Sequence, residues 1–296
     1  MIMSKNSITS KNTTLGFIGT GVMGKCMAGH LLAAGYKVNL YTRTKSKALD
    51  LLDQGGQWCE SVADLAATSD IIFTIVGYPK DVEDIYLGAE GLVAHMQASA
   101  VLVDMTTSSP ELARRIFEAA EHKQGFALDA PVSGGDIGAK EARLSIMVGG
   151  KPDCFDRLLP LFELMGAHVV YQGPAGSGQH CKMCNQIVIA STMMGVCESM
   201  AYAQKAGLNP ETVLQSISSG AAGSWSLSNL APRMIAGDFD PGFYVKHFIK
   251  DMRIASEAAE AMSLKAPGLD LAKSLYEKLA QQGGEDDGTQ ALYKLY

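Results

Sequence analysis

The segment that most constrains this chain is a glycine loop set between two apolar elements, Gly19-Thr20-Gly21-Val22-Met23-Gly24. Residues 15–18 before it read as a strand, and residues 24–34 after it as a helix. Alone, G-x-G-x-x-G is a weak pattern. Following a strand and opening a helix, it describes a unit suited to a pyrophosphate. Gly19 permits the tight turn, Gly21 lets backbone approach the phosphates, and Gly24 lets helix pack closely on strand. Free N–H groups and the positive end of the helix dipole then meet the anion. The loop, including Thr20, Val22 and Met23, is therefore expected to hold a dinucleotide.

The surrounding pattern agrees. Apolar runs at 37–41, 71–76, 100–104, 126–129, 145–148 and 168–171 alternate with helical stretches at 46–54, 62–67, 110–124 and 152–165. Such alternation predicts a mostly parallel sheet with helices on both faces. From Gly173 the texture changes. Residues 179–207 contain no proline, and Met183, Ile187, Ala190, Met194 and Cys197 recur close to a helical period. A helix of that length spans about 44 Å. Further helices are predicted at 210–218, 226–236, 246–262 and 266–282. The expected class is α/β: a Rossmann-type doubly wound sheet over 14–174, then an all-α domain over 175–296, joined by a long interdomain helix. Residues 1–13 are expected to form a flexible tail.

Composition narrows the function. The chain has 296 residues, 47% hydrophobic and 19% charged, which argues against disorder. A net charge of -6 without a basic patch argues against nucleic-acid partners. No apolar run has the length of a membrane span, and the start lacks a signal-peptide segment, so a soluble cytoplasmic protein is expected. The cysteines, at 26, 59, 154, 181, 184 and 197, read as reduced thiols rather than a disulfide framework. Cys181 and Cys184 spell C-x-x-C, but no second ligand pair accompanies them as a zinc site requires, and no metal site is expected.

The end of the second strand selects the cofactor. An NAD site places Asp or Glu there, about 20 residues on, to hold the ribose hydroxyls. This chain has Thr42-Arg43-Thr44 instead. Arg43 suits a 2′-phosphate through charge-assisted hydrogen bonds, and the threonine hydroxyls add donors. NADP(H) is the expected cofactor, with NAD(H) as the alternative.

Three further segments carry candidate chemistry. Asp129-Ala130-Pro131-Val132-Ser133-Gly134-Gly135 ends a strand, where such sheets bind ligands. The Ser133 hydroxyl and the N–H groups of Gly134 and Gly135 suit a carboxylate. Lys182 and Asn185, three apart, share a helix face at the expected domain boundary, a favoured place for a cleft. A lysine against apolar surface suits acid–base work. Lys250 and Asp251, inside an apolar helix, read from the residues alone as helix-surface charges, and His247 as structural.

Together these segments resemble the β-hydroxyacid dehydrogenase family, which includes 3-hydroxyisobutyrate dehydrogenase and tartronate, glyoxylate and succinic semialdehyde reductases. The resemblance rests on Gly16-Phe17-Ile18-Gly19-Thr20-Gly21-Val22-Met23-Gly24, on residues 129–135 followed by Met147-Val148-Gly149-Gly150, and on Gly176-Ser177-Gly178-Gln179-His180-Cys181-Lys182-Met183-Cys184-Asn185-Gln186. It implies that Lys182 protonates the substrate's carbonyl oxygen as hydride arrives from the nicotinamide. It also implies that Asn185 positions substrate and that Ser133, Gly134 and Gly135 bind its carboxylate. Phe243 and Asp251 match positions lining the substrate pocket. Lys250, Thr107 and the backbone at Ile75–Val76 match positions near the cofactor, and Arg43 matches NADP-preferring members. The implied substrate is a small carboxylate-bearing aldehyde or 2-oxoacid, and the implied assembly a homodimer or homotetramer. The alternatives are an imine reductase-like enzyme or an inactive dinucleotide-binding protein, both less consistent with the retained Lys182. One departure is Ala142-Arg143, where relatives commonly have Gly-Thr. Arg143 there is either exposed or reaches a second substrate acid.

Overall fold

The protein is described by a computed structural model covering residues 8–296. It forms two compact units that divide between Lys182 and Met183. The first holds nine strands: β1 (Thr14–Ile18), β2 (Lys37–Tyr41), β3 (Gln57–Trp58), β4 (Ile71–Thr74), β5 (Val101–Asp104), β6 (Phe126–Asp129), β7 (Val132–Ser133), β8 (Leu144–Gly150) and β9 (Gly166–Gly173). Between them run helices α1 (Val22–Ala33), α2 (Leu49–Asp53), α3 (Val62–Thr68), α4 (Pro79–Leu87), α5 (Leu92–His95), α6 (Pro110–His122), α7 (Gly135–Lys140) and α8 (Pro152–Phe162). The sheet order is β3-β2-β1-β4-β5-β6-β8-β7, with β9 on the free side of β8. From β3 to β6 every pairing is parallel; β6 and β7 meet β8 antiparallel.

Strands β4, β5 and β6 are apolar up to a last polar residue, Thr74, Asp104 and Asp129, because both faces are covered. Their side chains, and those of β1, alternate between two cores. Leu15, Phe17, Ile71, Phe73, Val101, Val103, Phe126 and Leu128 enter one; Ile18, Ile72, Leu102 and Ala127 enter the other. Helices start where side chains satisfy the open N–H groups: Ser61 accepts from Asp64 N, and Ser109 from Leu112 N with Pro110 just inside the helix.

The second unit is helical: α9 (Ser177–Lys205), α10 (Pro210–Ile217), α11 (Trp225–Asn229), α12 (Ala231–Ile235), α13 (Val245–Ala261) and α14 (Pro267–Leu279). Its core joins Met183, Ala190, Met193, Met194 and Cys197 of α9 to Phe248, Met252 and Ala255 of α13 and to Leu269, Ala272 and Tyr276 of α14. Tyr276 donates its hydroxyl to Thr289 O at 2.8 Å, so its one polar atom is satisfied inside. Among the described residues no helix is long and apolar enough to cross a membrane.

The structure departs from expectation in several places. The contacts of the first unit run on into the opening turns of α9, as far as Lys182; hydrogen bonds to Asp129 and to and from Gln179, described below, bind those turns to the sheet. The helix expected over 226–236 is two, since Pro232 has no N–H for the hydrogen bond that would carry α11 onward. Residues 1–7 of the expected flexible tail lie outside the described residues. Residues 9–12 of that stretch form a turn, Asn12 N to Thr9 O at 3.2 Å, and Ile8 packs on the first core.

Candidate active site

The glycine loop links β1 to α1 next to the place where strand order reverses, since β2 lies on one side of β1 and β4 on the other. Gly19 has φ +95°, and its N–H donates to Tyr41 O at 3.0 Å. A Cβ there would collide with Ile75 O, and one at Gly24 with Gly19 O. Gly21 differs: nothing lies within 4 Å of a Cβ built on it. It is the N-cap of α1 and offers no side chain to the open N–H groups of the first turn. Thr20 Oγ1 is buried without a hydrogen-bond partner. Val22 is exposed, and Met23 packs against the core below. Open backbone donors, space in front of Gly21 and an unsatisfied hydroxyl fit a dinucleotide pyrophosphate.

The ends of β4 and β5 complete this rim. Ile75 N donates to Ile18 O at 2.9 Å, and Val76 N to Thr106 Oγ1 at 3.0 Å. Thr107 is held through both neighbours: Gln179, fully buried, donates Nε2 to Thr106 O at 2.7 Å and accepts from Ser108 N at 2.9 Å. At the end of β2, Thr42 is half-buried and Thr44 exposed. The Arg43 side chain is 83% exposed and lies 3.3 Å from Asp81 in the first turn of α4.

The carboxylate-suited segment is not a plain loop. Ser133 ends β7, Gly134 caps α7, and Gly135 opens it with empty space where a Cβ would stand. Asp129, at the end of β6, turns its buried carboxylate onto the start of α9. It accepts from Gly176 N at 2.7 Å and from Gln179 N at 2.9 Å. Burial raises its pKa, and these N–H donors oppose the rise. Lys182 follows Gln179 by one turn and is only 6% exposed. Nearby, burial and the Arg114 guanidinium lower the pKa of His180. Arg143 is exposed and donates Nε to Glu141 at 2.8 Å, which answers it with a carboxylate of its own chain.

Cys184 is exposed and Cys181 half-buried, both within α9. Among the described residues no group of three His, Cys, Asp or Glu is placed to hold a metal.

In the second unit a polar network lies inside the helices. Asn185 Nδ2 donates to Gln186 Oε1 at 2.7 Å, and Gln186 Nε2 to Asp251 Oδ2 at 2.6 Å. Lys250 Nζ lies 2.9 Å from Asp251 Oδ1, the side chains being 12% and 2% exposed. The reading of this pair as surface charge is corrected: the two sit where α13 is covered, and Gln186 supplies a neutral donor that helps keep the carboxylate there. Phe243 is exposed and lies edge-on to Phe248 at 5.9 Å. His247 is half-buried, and burial lowers its pKa. Trp225 is exposed. Sequence reasoning assigned no role to Asp129, Gln179 or Gln186; the visible signal was spacing, since Gln179 precedes Lys182 by three and Gln186 follows it by four on one helix.

Comparison with known proteins identifies the family. Residues 14–173 match the family model described as the NAD binding domain of 6-phosphogluconate dehydrogenase. Residues 176–296 match that described as NAD-binding of NADP-dependent 3-hydroxyisobutyrate dehydrogenase. The chain is 62% identical to an uncharacterized oxidoreductase, YkwC, of Bacillus subtilis, over 96% of this chain and 98% of that one. It is 38% identical to 2-hydroxy-3-oxopropionate reductase of Escherichia coli, over 91% and 92%. The solved structure of Mycobacterium tuberculosis 3-hydroxyisobutyrate dehydrogenase with L-serine superposes with a TM-score of 0.88 at 29% identity, over 96% and 98%. A sheet with its glycine loop, a lysine-bearing helix and matches of this extent place the chain in the β-hydroxyacid dehydrogenase family, NAD(P)-dependent enzymes that act on CH–OH groups.

Proposed function

We propose that the protein interconverts a small carboxylate-bearing aldehyde or 2-oxoacid and its hydroxyacid, with NADP(H) preferred and Lys182 as general acid and base. The observation that carries this reading is the placement of Lys182. It is nearly withdrawn from solvent, one turn beyond a helix start fixed by Asp129 and Gln179. A proton donor must stand within hydrogen-bond reach of the oxygen it serves, and a rigid helix start holds it to that position.

When bound, the nicotinamide supplies or receives the hydride. Lys182 gives its proton to the carbonyl oxygen in reduction and takes it from the hydroxyl in oxidation. Ser133 and the N–H groups of Gly134 and Gly135 hold the substrate carboxylate. Asn185 orients the reacting carbon, with its amide steadied by Gln186. Phe243 and Asp251 shape the pocket. Gly19–Gly24, Ile75, Val76 and Thr107 cradle the dinucleotide, Thr42, Arg43 and Thr44 take the 2′-phosphate, and Lys250 serves near the cofactor. The names of the E. coli and M. tuberculosis relatives, and the NADP-dependent family matching residues 176–296, support the substrate class and the cofactor.

The test is oxidation of NADPH and of NADH against glyoxylate, succinic semialdehyde, tartronate semialdehyde and methylmalonate semialdehyde. A rate on at least one, higher with NADPH, is expected; no rate on any, with NADPH bound, contradicts the reading. A homodimer or homotetramer is part of it, supported by the exposed Val188, Tyr202, Leu208, Trp225, Leu264 and Leu271 of the helical unit. Light scattering that returns 31.4 kDa contradicts the oligomer.

A further inference from the structure

We propose that Asp81 sets the cofactor preference by opposing Arg43, so that the site takes NAD(H) alongside NADP(H); this rests on the reading of Arg43 as the 2′-phosphate ligand. The two residues come from different parts of the sheet. Arg43 follows β2, Asp81 stands in the first turn of α4 beyond β4, and Arg43 Nη1 lies 3.3 Å from Asp81 Oδ1. Their exposures differ: 83% for the arginine side chain and 26% for the aspartate. Asp81 is also third in α4, where the positive end of the helix dipole favours a carboxylate. The carboxylate is thus the fixed member of the pair and the guanidinium the mobile one.

A 2′-phosphate brings a charge of about -1.5 to -2. To bind Arg43 it must draw the guanidinium from Asp81 and then lie near a carboxylate that does not move away. The next cation along the chain does not offset this. Lys45 is 3.7 Å from Glu60 and lies over the Trp58 ring at 4.9 Å, so each of these two cations is matched by an acid. The uncharged 2′-hydroxyl of NAD(H) meets no such repulsion and has a proton to donate. In NAD sites the acid that accepts it ends the second strand. Here Thr42-Arg43-Thr44 occupy that place, and Asp81 brings a carboxylate to the same neighbourhood from the β4 side.

The experiment is fluorescence titration of the full chain with NADPH and with NADH at low ionic strength, for the unaltered protein, Asp81→Asn and Arg43→Gln. Asp81→Asn is expected to tighten NADPH by about three- to fivefold, the scale of one exposed ion pair, and to leave NADH unchanged or weaker. The gain should shrink as salt is raised. If Asp81→Asn leaves the NADPH-to-NADH ratio where it was while Arg43→Gln weakens NADPH alone, Asp81 has no part in the choice and Arg43 keeps its role. If Arg43→Gln leaves NADPH binding unaltered, the 2′-phosphate reading itself fails and this inference with it.

Discussion

Up to Lys182, the sharpest demands fall on backbone at glycines, where Gly19 and Gly24 lie against neighbouring carbonyl oxygens. From Met183 onward, the polar groups that stand out are side chains buried on helices, Gln186 and Asp251 above all. The two arrangements leave different marks on a sequence. A backbone that must pass under a neighbouring carbonyl excludes every residue with a Cβ, so Gly19 and Gly24 are forced and visible. A buried aspartate is spelled like an exposed one, and only its surroundings give it away. The structural demands on the first unit are therefore written in residue type, those on the second in contacts.

The comparison breaks first at the glycines. Gly19→Ala combines a left-handed backbone with an overlap on Ile75 O, so a loss of about 3 kcal/mol of stability is expected in chemical denaturation. Gly21→Ala, with open space before it, should stay within about 0.5 kcal/mol of the parent yet bind NADPH about tenfold more weakly. Equal stability losses at both positions would mean that the loop is only a structural turn. In the helical unit, Lys250→Met strands the buried Asp251 and should cost about 3 kcal/mol, most of it restored by adding Asp251→Asn. A cost below about 1 kcal/mol would return the pair to the ordinary range of surface charges. The smallest effect is at Ala142, a non-glycine residue with φ +53°. Ala142→Gly should raise stability by up to about 1 kcal/mol in the same assay, and no gain would show that the neighbouring turn absorbs the strain.

What was legible follows the same division. The strands from β1 to β6 that run through the sheet centre announce themselves because burial on both faces leaves short apolar runs, as at 71–73 and 101–103. Helix α4 went unread because Pro79, Lys80, Asp81, Glu83 and Asp84 give it the look of a loop. Its true markers were proline at the first helical position and Val82 with Tyr86 four apart, both buried. At Gly134–Gly135 the glycines were legible as open N–H groups in a loop, but the helix α7 that opens there was not. The positions of Lys182 and Asn185 on one helix were readable from spacing. The anchoring of that helix by Asp129 and Gln179 was not, because its partners are 50 and more than 70 residues distant in sequence.

The central claim is that Lys182 moves the proton. The direct measurement is kcat for Lys182→Ala on whichever substrate of the panel the unaltered enzyme reduces, together with the dissociation constant for NADPH. The account predicts that kcat falls by about a hundred- to ten-thousandfold while NADPH binding and thermal stability hold. Retention of kcat within about tenfold, in a variant that still binds NADPH, would contradict it and move the proton transfer to another group.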